Sequence, residues 1–506
     1  MSEELHSGEL DKTATSTEVT HTDPPQGVRG RVDRYFKITE RSSSVGQEVR
    51  GGLVTFFTMA YIVVLNPIII GGVAGSGRNA DVLGNVLPIA AVAAVTALVA
   101  GIMSILFGAI ANYPFAIATG LGINSLLAVS IAPQVTWPEA MGLVVIDGII
   151  IVLLAVTGLR TRVFTAIPTE LKASIAAGIG CFIAFIGLVD AGFVTRVPDA
   201  AGTTVPVGLG NGNSITTLPT LIFVLGVLIM GVLVVRKVRG GLLIGIVVTT
   251  VIAVIVQAFA DLPASGNGKS GWSLNIPEWP KAVGDLPDLS LVGDVDLFGA
   301  FVRIGVLSAS VFVFTLVLSN FFDAMGTMTG LGREAGLADS DGNLPNIGRA
   351  LAVEGAGAIV GGAASSSSNT VFVESASGIA EGARTGLANI VTGVLFLVAM
   401  FFTPLYSIVP LEAAAPALVV VGALMIAQIR HIDLTRFEVA LPCFLTIVVM
   451  PFTYSIANGI GVGFISWVVL ATARGKIRTV HPLLWVVAVL FVLYFAKGPI
   501  ESLIDG

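Results

Sequence analysis

The sequence is poor in charged residues. Asp, Glu, Lys and Arg make up 12% of its 506 residues, whereas soluble domains carry about 25%. Hydrophobic residues reach 54%, so an ordinary soluble domain is excluded and a polytopic membrane protein is predicted. The net charge of -6 comes without a basic stripe, which argues against a nucleic-acid partner.

Cysteine and histidine are also scarce. The two cysteines, Cys181 and Cys443, lie in apolar runs without metal-ligand spacing, so we expect no disulfide, no bound metal and no cofactor. The histidines all lie in the N-terminal tail or near loops: His6, His21, His431 and His481. The sequence therefore offers no histidine-based pair of nucleophile and base inside the membrane, which disfavours a membrane-embedded enzyme.

The N-terminal segment is polar and acidic. Residues 1–28 lack the apolar core of a signal peptide, and we expect them to form a disordered cytoplasmic tail. Residues 29–50 are basic and precede the first apolar run, which is typical of a cytoplasmic juxtamembrane segment. Their basic residues include Arg29, Arg31, Arg34, Lys37 and Arg41.

Hydrophobic runs near the 20 residues that span a bilayer recur along the chain. They lie at about 52–72, 86–110, 139–157, 170–189, 215–235, 240–260, 302–328, 346–363, 385–403, 411–428, 437–455 and 458–473. Two shorter segments, 113–130 and 369–382, are rich in Gly, Ser and Thr and bring the predicted number of transmembrane segments to fourteen. Residues 481–497 are apolar but short, and we favour an interfacial helix there over an extra span.

The distribution of basic residues predicts the orientation in the membrane. With the N-terminus in the cytoplasm, only a few basic residues fall in outer loops: Arg78, Arg196, Lys269, Lys281 and Arg303. The inner loops carry many more, as the positive-inside rule requires.

The longest polar interruption, residues 261–297, separates seven predicted segments from seven. Because seven is odd, the two halves have inverted topology, and the two short segments occupy the third and tenth places. Short, interrupted segments in matching positions indicate the binding site of a transporter. We expect a short helix beginning near Pro114 and another in 365–382, each preceded by an extended stretch and both converging at the membrane midplane.

Carboxylates in the apolar segments are candidate site residues. Asp323 lies deep in the eighth segment, without a cation nearby in sequence, and Glu374 lies in the first turn of the second short helix. A carboxylate acceptor beside backbone donors matches the planar edge of a nucleobase. An inorganic anion would instead require a cation, so an anion carrier is the weaker alternative.

Other polar and aromatic residues are weaker candidates. Asn124 and Thr327 are each either a ligand contact or an ordinary interhelical hydrogen bond. The sequence leaves a direct role for Asp147 and Glu354 open, with a structural role favoured for Glu354. Three aromatic residues are either stacking surfaces for a flat ring or core residues: Phe57, Tyr61 and Phe115.

Several motifs in order resemble the AzgA-like purine permeases of the nucleobase:cation symporter superfamily. They are "GGLVTFFTMAYIVVLNP", "FFDAMGTMTGLGREAGL", "ESASGIAEGARTGL", "APALVVVGALM" and "MPFTYSIANGIGVGFISW", and the resemblance covers about residues 30–497. It implies import of adenine, guanine or hypoxanthine with protons across the plasma membrane. It also implies a core domain (51–157 and 298–403), a gate domain (170–260 and 408–474) that rocks or moves as an elevator against it, and a homodimer.

The resemblance also implies roles for individual residues. Asp323 matches the acid of the eighth segment, which we expect to couple transport to protons. Glu374 matches the substrate-binding acid of the tenth segment, and Asn124 matches a polar residue of the third. Phe115 and Val373 match positions whose backbone amides face the ligand.

Overall fold

The computed structural model describes residues 28–73, 79–158, 167–196, 207–210, 214–264, 271–273, 275–279, 282–338, 344–345, 347–406 and 408–496. The predicted tail lies outside these residues except for Val28. The first half contains α1 (Val28–Phe36), α2 (Val45–Met59), α3 (Ile62–Ile70), β1 (Gly71–Gly72), β2 (Leu87–Pro88), α4 (Ile89–Ala111), β3 (Ile117–Thr119), α5 (Leu121–Leu126), a π-helical turn (Leu127–Ile131), α6 (Trp137–Thr157), α7 (Thr169–Asp190), β4 (Val194–Arg196), β5 (Val207–Leu209), α8 (Leu218–Val235) and α9 (Gly241–Ala260).

The second half repeats this mainly helical pattern. It contains α10 (Gly299–Arg303), α11 (Gly305–Glu334), α12 (Ile347–Ala363), β6 (Asn369–Val371), α13 (Ser375–Ala380), α14 (Gly386–Ala399), α15 (Thr403–Tyr406), α16 (Leu411–Ile426), α17 (Phe437–Phe452), α18 (Ile456–Ala473) and α19 (Pro482–Phe495). Short 3-10 turns follow α14, α16 and α18 at Met400–Phe402, Ala427–His431 and Ile477–Thr479.

The helices confirm the predicted multi-pass membrane architecture. Within the described residues, nine helical stretches are long and apolar enough to cross a bilayer, and four shorter apolar helices accompany them. Each of the fourteen predicted segments contains a helix. The C-terminal helix α19 has 14 residues, about 21 Å at 1.5 Å per residue, so it is shorter than the hydrocarbon core of about 30 Å.

The two broken segments meet each other. Strands β3 and β6 pair antiparallel, with Ile117 opposite Val371 and Thr119 opposite Asn369. Backbone groups that a membrane helix would satisfy internally are satisfied here by the partner strand. The expected convergence of the extended stretches is therefore observed. However, the first short helix begins at Leu121 rather than near Pro114, because β3 occupies the residues between them.

Helices of the two halves pack together in two groups. In the first group, α14 packs against α4 and α2, while α12 packs against α6 and α4. In the second group, α16 packs against α7 and α8, and α17 packs against α7 and α18. Glycines allow the closest approaches: a side chain on Gly108 would collide with Gly386, and one on Gly180 would collide with the backbone of Gly422.

The two cysteines are free and make no contact with each other. Cys443 is buried and its thiol donates to the Glu170 carbonyl oxygen at 3.5 Å, while Cys181 is half-buried. Among the described residues, His, Cys, Asp and Glu form no group that would hold a metal ion.

Candidate functional site

The serine-rich stretch before β6 holds the two broken segments together. The Gly120 N–H donates to the Ser368 carbonyl oxygen at 3.0 Å, and the Phe372 N–H donates to the Ala116 carbonyl oxygen at 3.0 Å. The Ala116 N–H donates to the Ser375 hydroxyl at 3.0 Å. These polar groups are buried, and they replace the hydrogen bonds that each segment loses where its helix is broken.

A cavity of about 340 Å³ lies beside this two-stranded ribbon. This volume is within the range of small-molecule sites. Its lining residues come from the start of α5, from α7, from the middle of α11 and from the turn after α16, and they include Gly120, Gly122, Ile123, Lys172, Ile179, Ser319, Asp323, Thr327, Gln428 and His431. Lys172 and His431 lie at the helix ends that the charge pattern assigns to the cytoplasm.

Asp323 and Thr327 are placed together on the wall of this cavity, one turn apart on α11. The side chain of Asp323 is exposed, which corrects the expectation of a carboxylate packed between apolar helices. The sequence analysis did not identify Lys172 as a residue of the same wall. Lys172 precedes Asp323 by 151 positions, and only the fold brings the two residues to one cavity. Sequence neighbours therefore did not reveal the full charge of the site.

Glu374 lies at the start of the second short helix, close enough to Asp323 for the two carboxyl groups to interact electrostatically. It is the residue that immediately precedes α13, one position before the first turn in which it was expected. The Tyr61 hydroxyl donates to Glu374 Oε1 at 2.5 Å. Tyr61 lies at the break between α2 and α3, so the first segment fixes the orientation of the carboxylate from the tenth.

The remaining predicted site residues do not line the cavity with their side chains. Asn124 is fully buried, and its Oδ1 accepts from the Thr119 hydroxyl at 2.8 Å. The Phe115 ring is fully buried and stacks on Tyr113 with ring centroids 4.9 Å apart. Val373 is 61% exposed and adjoins Glu374. The side chain of Phe115 is thus part of the hydrophobic core.

Sequence reasoning did not identify the partners of these residues. Tyr61 was expected to be either a stacking surface or a core residue; it is 1% exposed and also serves as a hydrogen-bond donor. Asn320 was missed: its Nδ2 donates to Asp147 Oδ2 at 3.1 Å and to the Ser368 hydroxyl at 2.7 Å. A signal was present, since Asn320 precedes Asp323 by one helical turn. Phe57 is 55% exposed and lies on the outside of α2.

A multi-pass bundle with two broken, paired segments and a polar cavity beside them defines a membrane transporter. The sequence profile described as "Permease family" matches residues 46–462. The chain belongs to this permease family.

Individual relatives are similar over nearly their whole length. The chain is 38% identical over 465 residues to the guanine/hypoxanthine permease PbuG of Bacillus subtilis (strain 168), covering 91% of this chain and 98% of PbuG. It is 35% identical over 476 residues to the adenine permease AdeP of Escherichia coli (strain K12), covering 94% and 97%. The resemblance to purine permeases drawn from the motifs is confirmed, and these relatives are transporters, not enzymes.

The fold is also shared with a solved structure of low sequence identity. The transmembrane domain of a cyanobacterium bicarbonate transporter, BicA, superposes with a TM-score of 0.59 at 16% identity. The alignment covers 82% of this chain and 97% of that domain. At this identity the likeness establishes the fold alone.

Proposed function

We propose that this permease imports purine nucleobases, with adenine, guanine and hypoxanthine as the candidate substrates. The observation that carries the proposal is Glu374, an acceptor oriented by Tyr61, adjoining the exposed residue Val373 and interacting with Asp323 on the wall of a cavity of small-molecule size. A carboxylate and an N–H donor side by side pair with the donor and acceptor of a purine edge. The named substrates of PbuG and AdeP support the same class.

Import is proposed to occur by proton symport across the plasma membrane, with the N-terminus in the cytoplasm. Asp323 on the cavity wall is the proposed proton site, and Thr327, Asn124, Phe115 and Val373 contribute to or support substrate binding. The proposed division is a core domain (51–157 and 298–403) and a gate domain (170–260 and 408–474), and the two packing groups of helices support it. A homodimer assembled through the gate domain completes the proposal.

Competition for purine uptake is the direct test of the substrate class. Unlabelled adenine, guanine and hypoxanthine are expected to compete with a radiolabelled purine. Purines methylated on the recognised edge are expected to fail, because the methyl group removes the donor that would pair with the Glu374 carboxylate. Uracil should compete weakly because its single ring fills less of the cavity. The uptake of label into cells expressing the chain provides the measurement.

The same competition experiment separates the alternatives. Uracil competing as well as the best purine would overturn the purine assignment. Displacement of the label by sulfate or bicarbonate would favour the anion carrier, whose required cation Lys172 would supply from the cavity wall. Recovery of chemically altered purine from proteoliposomes that contain only the purified chain would instead indicate an enzyme.

An ion pair on the cytoplasmic side offers a test of the proposed movement between domains. Glu381, just after α13, pairs with Arg50 on α2 at 2.7 Å and with Arg239 in the loop between α8 and α9. Arg50 lies on α2, a helix that continues directly into the proposed core domain, whereas the pair with Arg239 joins core to gate. A sliding or rocking movement must break the second pair and leaves the first intact.

Arg239→Gln is therefore expected to depopulate the conformation described here, whose cavity we propose to open toward the cytoplasm. Arg239 is exposed and Glu381 retains its pair with Arg50 in the variant, so we expect a contribution of about 1 kcal/mol, which corresponds to a change of about fivefold in the population ratio. The measurement is labelling of Ala176→Cys, on the cavity wall, by an impermeant thiol reagent in inside-out membranes, in a chain with Cys181 and Cys443 replaced by alanine. Arg50→Gln is the matched control, and an equal effect of both variants would contradict a role in domain movement.

A further inference from the structure

Two fully buried acids lie behind the cavity, on helices in backbone contact. Asp147 on α6 and Glu354 on α12 are each 0% exposed. The residues that follow them, Gly148 and Gly355, lie at the crossing point of the two helices: a side chain on Gly148 would stand 2.7 Å from the Gly355 carbonyl oxygen. The two acids therefore flank the same point of closest approach.

The hydrogen bonds around these acids are incomplete: the Thr370 hydroxyl beside Glu354 has no partner among the described residues, and several acceptor oxygens have none either. Asp147 Oδ2 accepts from Asn320, but Asp147 Oδ1, Asn320 Oδ1 and both carboxyl oxygens of Glu354 have no hydrogen-bond partner among the described residues. All four are acceptors. Protonation of one carboxyl group turns one of these acceptors into a donor. A single proton therefore reduces the number of acceptors that lack a hydrogen bond.

The surroundings of Glu354 supply no positive charge. The groups that interact with it are Asp147 on α6, Asp323 on α11 and the Thr370 hydroxyl on β6. Helix α4, which also packs against α12, carries no charged residue. If Asp147 and Glu354 were both ionised here, the desolvation of each carboxylate would be unfavourable and no counter-ion would offset it.

The pair is connected to the cavity by short links. Asn320 donates both to Asp147 and to the Ser368 hydroxyl, and the Ser368 carbonyl oxygen accepts from Gly120 on the cavity wall. Glu354 also interacts electrostatically with Asp323, which is exposed in the cavity. A change of charge at Asp323 is therefore felt at Glu354.

We propose that Asp147 and Glu354 share one bound proton, held as a hydrogen bond from the Glu354 carboxylic acid to the Asp147 carboxylate. This is a second protonation site, distinct from Asp323 and coupled to it. Because the two sites repel each other when both are ionised, an ionised Asp323 favours the proton at Glu354, and protonation of Asp323 weakens it. The chain thus has two coupled protonation sites, Asp323 and the Asp147–Glu354 pair, instead of a single titrating carboxylate.

Infrared spectroscopy of the purified protein tests the shared proton directly, without any substrate. The protein is labelled with ¹³C-carboxyl glutamate, and the carbonyl stretch of protonated carboxylic acids is recorded at neutral pH. The expected result is a band that shifts with the glutamate label, persists in Glu374→Gln and disappears in Glu354→Gln. Glu139→Gln is the matched control, because Glu139 is ion-paired with Arg303 at 2.7 Å and should leave the band unchanged.

Three outcomes would overturn the proposal. One is the absence of a protonated glutamate band in the labelled wild-type protein. This measurement does not need the variant, so it tests the proposal even if Glu354→Gln fails to fold. Another is a band that survives in folded Glu354→Gln. The third is a band that appears only when sodium is removed, since the pair would then hold a sodium ion and not a proton.

The coupling to the cavity is tested by proton exchange on binding, and this step rests on the proposed purine transport. Calorimetry of hypoxanthine binding in buffers of different ionisation enthalpy gives the number of protons exchanged per purine. Glu354→Gln is expected to change that number while altering Kd by less than about threefold, a difference below 1 kcal/mol. An unchanged proton number would remove the coupling. Absence of hypoxanthine binding in the wild type would instead contradict the substrate assignment and leave the infrared result standing.

Discussion

Glu374→Gln is expected to abolish high-affinity purine binding while the chain remains folded and inserted. Glutamine keeps the volume of the side chain and can still accept from Tyr61, but it replaces a charged acceptor by a weaker one and adds an N–H group facing the purine. A mismatch of this kind costs about 1 to 3 kcal/mol, which corresponds to a loss of roughly 5- to 150-fold in affinity. Equilibrium binding of radiolabelled hypoxanthine to the purified variant measures it.

Two comparisons make this result specific. Glu438→Gln changes a carboxylate that pairs with Arg436 and Arg474 away from the cavity, and it should bind as the wild type does. Tyr61→Phe removes the donor at 2.5 Å but keeps the carboxylate, so it should weaken binding less than Glu374→Gln. Wild-type affinity in folded Glu374→Gln would remove Glu374 from the site, and an equal loss in Tyr61→Phe would reduce its role to orientation of the tyrosine.

Asp323→Asn is expected to abolish accumulation of purine against its gradient. Asparagine mimics the neutral form of the side chain and cannot bind or release a proton. An imposed proton gradient therefore no longer drives transport in this variant. Exchange of internal for external purine needs no net proton movement and should persist. Uptake into proteoliposomes with an inward proton gradient, in sodium-free buffer, provides the measurement, and a protonophore should collapse uptake by the wild type.

The neighbouring cavity residue supplies the control for Asp323. Thr327→Val alters the same wall one turn away without removing a titratable group, so it should lower affinity and leave dependence on the proton gradient intact. Accumulation by Asp323→Asn against a purine gradient would show that the proton is carried elsewhere. Wild-type uptake that ignores the proton gradient but requires sodium would exclude proton coupling altogether.

The architecture was largely predictable because it follows from local hydrophobicity. A run of about 20 apolar residues becomes a helix in a bilayer wherever it occurs, and polar, glycine-rich interruptions mark the places where that helix is broken. The start of the first short helix was not predictable from Pro114, because the residues after it pair with β6 from the other half of the chain. Partner strands at such separation leave no periodic trace in either segment.

The candidate site was predictable in its acids and not in their surroundings. Asp323 and Glu374 stand out because carboxylates are costly in apolar segments. The hydrogen bond from Tyr61 joins residues 313 positions apart, and the cavity wall combines side chains from both halves of the chain. Whether an acid is packed or exposed depends on these distant contacts, which explains why Asp323 was expected to be enclosed.

The ribbon between β3 and β6 has a consequence for biosynthesis. The Ala116 N–H and the Ser375 hydroxyl that accepts from it are 259 residues apart, so the ribosome completes the third segment long before its partner strand exists. Until then, Ser104 can already pair with the Ile117 backbone, but the Ala116 carbonyl oxygen and the Gly120 N–H, which pair with the other half, have only temporary partners such as water or the insertion machinery. The third segment must therefore wait in an incomplete form until the tenth is made, and a chain that terminates before β6 would present this open strand to cellular quality control.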